Sequence, residues 1–81
     1  MICEKVFRSR KGKTVILRVF MDQGLKVEVT GDFFGSEDDL EILENDLSNV
    51  RPSNVKMLGV DGDELLERVK ECLETEKASQ P

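Results

Sequence analysis

From Leu25 to Asp32 the chain alternates strictly, with Leu25, Val27, Val29 and Gly31 on one side and Lys26, Glu28, Thr30 and Asp32 on the other. A period of two residues is the signature of a strand with one buried face. The run closes on Gly31-Asp32-Phe33-Phe34, just before an acidic segment that opens on Ser36. Consecutive strand side chains point to opposite faces, so Phe33 and Phe34 cannot both enter one core. These two residues are half of the four phenylalanines, and the chain has no Trp or Tyr. One ring packs inward and the other requires a second cover, so the motif reads as built for docking at least as much as for folding.

Two more strands precede it. Residues 3–9 read as a strand ended by Arg10-Lys11-Gly12-Lys13, a turn containing Gly. Residues 14–21 are rich in β-branched and aromatic side chains, with Val15, Leu17, Val19 and Met21 on one face and Thr14, Ile16, Arg18 and Phe20 on the other. Asp22-Gln23-Gly24 makes the next tight connection. The three runs form an antiparallel meander with one buried face.

Two helices follow. Ser36 is a suitable N-cap, Asp39 lies three residues on, and Glu37 and Asp38 complement the positive end of the helix dipole. Leu40, Leu43, Leu47 and Val50 recur at helical spacing, and Pro52 disfavours helix at Arg51. Residues 55–60 are short and apolar, either a fourth strand or an extended connector. Asp61-Gly62-Asp63 opens a second helix whose inner stripe is Leu65, Leu66, Val69, Cys72 and Leu73. The expected fold is a two-layer α+β domain over residues 1–75, a small antiparallel meander with two helices packed on one face, with residues 76–81 as a tail. On this parity Ile16, Phe20 and Phe34 share the uncovered sheet face with Arg18, Lys26 and Glu28. Contiguous exposed apolar residues mark binding surfaces, and this face is the expected partner contact.

Composition narrows the function classes. At 81 residues there is room for one core. No apolar run approaches the roughly 20 residues of a membrane span. Met-Ile-Cys-Glu-Lys lacks the apolar stretch of a signal peptide, which makes the cytoplasm the default compartment. Histidine is absent, and Cys3 and Cys72 are too few for a zinc site, which takes three or four protein ligands. Cys72, on the apolar stripe, reads as a buried small hydrophobe. Without His, Ser-His and Cys-His nucleophile pairs are excluded. Residues 1–30 hold seven bases against three acids, and residues 31–81 hold fourteen acids against five bases. The basic turn from Arg8 to Lys13 reads as a solvated tip, or as a surface for phosphate or an acidic partner. Nucleic acid fits poorly, because both helices are acidic and no aromatics interleave with the basic residues.

Asp61-Gly62-Asp63 lacks the ligand spacing of a calcium loop, and no phosphate-binding glycine loop is present. The helix carboxylates read as solvated faces. Asp32 is the one acid in an unusual place, and its expected role is to accept hydrogen bonds from the turn or helix start. No nucleophile, general base or metal cage emerges.

Gly12-Lys13-Thr14-Val15, the alternation through Thr30, Gly31-Asp32-Phe33-Phe34 and the acidic helix Ser36-Glu37-Asp38-Asp39-Leu40-Glu41 with Leu43 and Leu47 together resemble the C-terminal accessory domain of lipoate–protein ligases. The resemblance covers about residues 5–75; it departs at Gly35-Ser36, where family members often carry Pro. It implies a free-standing accessory subunit that binds a catalytic lipoate–protein ligase subunit as a heterodimer. That partner would hold ATP, Mg and lipoate and form lipoyl-AMP before transfer to lysines of lipoyl acceptor domains. This chain alone would bind no cofactor and carry no catalytic residue. Gly31, Asp32, Phe33, Phe34, Phe20 and Ile16 are the candidate interface or motif positions, with Lys13 a candidate for approaching phosphate. The alternative is a non-catalytic adaptor or scaffold related by fold to iron–sulfur assembly proteins, which would need a reactive exposed Cys for sulfur delivery. A regulatory domain of other target is the remaining reading.

Overall fold

The computed structural model describes residues 3–21, 23–33 and 35–78, with the side chains of residues 75–78 outside that description. Strands β1 (Cys3–Arg8), β2 (Thr14–Met21) and β3 (Leu25–Gly31) form one antiparallel sheet in the order β1-β2-β3. Register pairs Lys5 with Leu17 and Leu17 with Val29, so the expected inner face is continuous across the sheet, except that Met21 at the end of β2 is 63% exposed and not part of the core. Val15, Leu17, Val19, Val27 and Val29 are buried there, and Cys3, Phe7 and Leu25 are partly buried against them.

Helices α1 (Glu37–Ser48) and α2 (Gly62–Ala78) both pack on this face, α1 against β3 and α2 against β1 and β2. Leu43 and Leu47 of α1 and Leu65, Leu66, Val69 and Cys72 of α2 complete the core with Met57 and Val60. Ser36 caps α1 as its sequence predicts, its Oγ accepting from the Asp39 amide at 3.0 Å. α1 also seals the outer edge of β3. The Val29 amide donates to Glu44 Oε2 at 2.8 Å, and the Val27 amide donates to Ser48 Oγ at 2.9 Å. Glu44 and Ser48 are one helical turn apart, so one face of α1 satisfies two edge amides.

Three expectations require correction. Val50 does not extend the α1 stripe. The helix stops at Ser48 in a Schellman turn, with the Val50 amide donating to Leu47 and the Arg51 amide to Asp46. Val50 itself adopts φ of +53°, a left-handed conformation that a β-branched residue resists. Pro52 explains the stop, because it pushes Arg51 out of helix. Second, residues 76–78 are helical instead of belonging to a tail. Lys70–Ala78 contains no Gly or Pro, so nothing ends the helix earlier. Residues 79–81 lie outside the described residues. Third, Cys72 is not a solitary buried thiol but is disulfide-bonded to Cys3, with a Cα–Cα distance of 5.8 Å. Residues 55–60 form a connector with a single bridge, Met57 to Val60, and not a fourth strand.

The bridge closes a loop across a sequence separation of 69 residues, a span over which a cross-link stabilises by about 2–4 kcal/mol. Reduction, or Cys3→Ser with Cys72→Ser, is expected to lower the melting temperature by at least about 10 °C. An unchanged melt on reduction would show that the pairing adds nothing to the fold. Val50→Gly removes the left-handed strain and is expected to raise stability by about 1 kcal/mol in denaturant titration, where a loss would contradict the Schellman geometry.

Candidate functional site: the corner after β3 and the open sheet face

The corner is built from Gly31, Asp32 and Phe33. A Cβ at Gly31 would overlap the Thr14 carbonyl oxygen and meet the Phe33 ring at 3.1 Å, so only glycine fits this crossing. The Asp32 amide donates to the Thr14 carbonyl at 3.2 Å, and Asp32 Oδ1 accepts from the Thr14 amide at 2.7 Å. Asp32 therefore extends the β2–β3 ladder by one side-chain bond, the turn-accepting role its sequence position suggests. Phe33 turns inward and is half-buried against the core, beside Gly59. Folding contacts account for all three residues. Phe34, the expected outward ring, lies outside the described residues.

Among the described residues no helix packs on the far face of the sheet. Ile16 and Phe20 stand there half-buried, as their parity predicts, and Val6 joins them at 65% exposure. Register sets Val6, Ile16 and Thr30 in one row across the strands. The next row is ionic, running Glu4, Arg18, Glu28, and Arg18 Nε donates to Glu4 Oε2 at 2.6 Å. That hydrogen bond, and then the Glu4 charge, raises the Arg18 pKa from its ordinary value. Phe20 lies opposite Lys26. Val6 was not among the residues expected on this face, although the alternation Glu4, Val6, Arg8 in the first strand carries the signal.

The basic turn is solvent-exposed, and two of its bases are paired within the chain to acids at the start of α2. The Arg10 amide donates to both Glu64 oxygens at 3.1 and 3.2 Å, its guanidinium donates to Asp63 at 3.2 Å, and Lys11 pairs with Asp61 at 3.2 Å. The bond from Arg10 lowers the Asp63 carboxyl from its ordinary value. Ser9 Oγ donates to the Gly59 carbonyl and accepts from the Lys13 amide at 3.1 Å. Ser9 and Glu64 are buried polar residues at 4% and 7% exposure, and both belong to this junction. The Lys13 stem lies against Gly59, where a Cβ would meet its Cγ at 2.5 Å. Neither Ser9 nor Glu64 was legible as a contact, since their partners are 50 and 54 residues away.

Among the described residues no group of three His, Cys, Asp or Glu side chains is placed to hold a metal ion. Among those residues, too, no helix is long and apolar enough to cross a membrane. A depression of about 580 Å³ beside the 52–58 connector is lined by Lys11, Asp61 and Asp63, which the junction already pairs in part. Both sulfurs sit in the disulfide, and Cys72 is fully buried. No family model, no curated protein and no solved structure matches the chain.

Glu64→Ala leaves the Arg10 amide without its acceptor and is expected to lower stability by about 1–3 kcal/mol, read as a shift of the denaturant midpoint. Asp63→Ala, at an exposed site, is expected to stay within about 0.5 kcal/mol. Equal small effects would remove Glu64 from the junction.

Proposed function

We propose that this chain is a non-catalytic docking domain acting as the accessory subunit of a two-part lipoate–protein ligase. The observation that carries the docking reading is the helix-free sheet face, where Val6, Ile16 and Phe20 stand beside the Glu4–Arg18 pair. Apolar anchors ringed by polar groups are what a protein interface requires. The polar side chains Glu64, Asp32 and Ser9 are engaged in holding the fold.

The lipoate–protein ligase assignment rests on the resemblance of the Gly31-Asp32-Phe33-Phe34 corner and its flanking elements. In this reading the catalytic subunit binds ATP, Mg and lipoate. The present chain closes and orders that active site from outside, as a lid assists chemistry without supplying reacting groups. The adaptor reading by sulfur delivery loses support, because it requires an exposed thiolate and both cysteines are bonded to each other.

The test is lipoyl-AMP formation by the catalytic subunit with and without this chain. Adenylation is expected to depend on its addition. Phe20→Ala is expected to weaken binding of the two subunits about tenfold or more, with the fold unchanged by circular dichroism. Equal adenylation by the catalytic subunit alone would overturn the ligase assignment. Loss of binding without Phe20, but with another partner, would leave the docking face standing.

A further inference from the structure

The two edges of the sheet are treated differently. The outer amides of β3 are capped by Glu44 and Ser48, while β1 is the opposite edge. The direction of each β1 peptide follows from the ladder. The Val27 and Val29 amides point away from β2, so their partners Val19 and Leu17 direct their backbone groups toward β1. Cys3, Lys5 and Phe7 receive them, in step with the Ser9 amide donating to the Lys13 carbonyl at 2.7 Å. Glu4, Val6 and Arg8 therefore present their N–H and C=O groups outward. Among the described residues no side chain or loop bonds to them.

We propose that β1 pairs with β1 of a second copy of this chain, antiparallel, about a two-fold axis through Val6. This goes beyond the accessory-subunit reading and does not depend on it. The occupant is specified by charge. The two-fold sets Glu4 opposite Arg8 of the second copy, Arg8 opposite Glu4, and Val6 opposite Val6. These are the three residues whose backbone groups face out, so side-chain matching and hydrogen-bond parity agree in one register. A slip by two residues in one direction places Lys5 against Lys5, and a parallel arrangement places Glu4 against Glu4; both set like charges opposite each other, while a slip the other way replaces the Glu4–Arg8 pairs by Val6 against Arg8. Glu4, Val6 and Arg8 are all exposed.

The pairing joins two three-stranded sheets into one of six strands. On the open face the row Thr30, Ile16, Val6 continues into its two-fold-related copy, doubling the apolar strip. The ionic row Glu28, Arg18, Glu4 continues into Arg8 of the second copy, with signs alternating throughout. β1 is also a fixed template, since α2 fastens it at Arg10 and Cys3, which limits the ordering cost of association.

The experiment is sedimentation of the oxidised full chain over a concentration series, with hydrogen exchange at low and high concentration. The expected result is a reversible monomer–dimer equilibrium in which the Glu4, Val6 and Arg8 amides gain protection with dimer. Arg8→Glu alone and Glu4→Lys alone are each expected to weaken self-association at least about tenfold. An equimolar mixture of the two is expected to recover it as a heterodimer, because every cross-strand pair is again opposite in sign. Both substitutions lie at exposed positions, and unchanged melting confirms the fold. A wild-type chain that stays monomeric overturns the proposal. So does a dimer whose β1 amides remain unprotected, or a mixture that associates no better than either variant alone.

Discussion

One helical stripe holds this fold together where it would otherwise come apart. Glu64, Arg68 and Cys72 recur at four-residue spacing on α2, and each reaches the first strand or the turn that follows it. Glu64 accepts from the Arg10 amide, the Arg68 guanidinium lies 4.6 Å from the Phe7 ring centre, and Cys72 is bonded to Cys3. A buried carboxylate bond, a cation–π contact and a covalent link thus run the length of β1. β1 needs them, because its inward residues Cys3, Lys5 and Phe7 are only half-buried. By contrast β2 and β3 bury Leu17, Val19, Val27 and Val29 almost fully and require no such fastening. The first thirty residues and the second helix are therefore one mechanical unit despite their separation in sequence.

The same arrangement leaves the sheet asymmetric. β3 ends its ladder on side chains of α1, a means of blunting an edge against unwanted pairing. β1 is held from its inner face alone, so its outer backbone stays open. Charges at Glu4 and Arg8 then decide which strands are tolerated there: they discourage an apolar or like-charged partner and match a strand of the same sequence. One set of contacts both stiffens the edge and leaves it available.

Local physics made the meander, the Ser36 cap, the inward Phe33 and the outward parity of Ile16 and Phe20 legible from sequence, because each depends on alternation or on neighbours a few residues away. Val50 misled because apolar spacing continues two residues past Ser48, where the helix ends. The disulfide was missed although both halves of its signal were present: Cys3 falls on the inward parity of the first strand, and Cys72 on the inward stripe of the second helix. Two inward-facing cysteines in a domain of one core have few places to be except near each other. The basic turn was read in isolation for the same reason, since its acids begin only at Asp61.

These long-range contacts bear directly on what the chain can do. A carboxylate is useful as a catalyst when its lone pairs are free, yet Glu64 is occupied by the Arg10 amide and Asp32 by the Thr14 amide. The corner that carries the most distinctive residues is likewise assigned, with Gly31 yielding to the Thr14 carbonyl and Phe33 to the core. Among the described residues, what the fold leaves outward includes an apolar row, an ionic row beside it and one unpaired edge. Surfaces of that kind act by contact, through shape and matched charge.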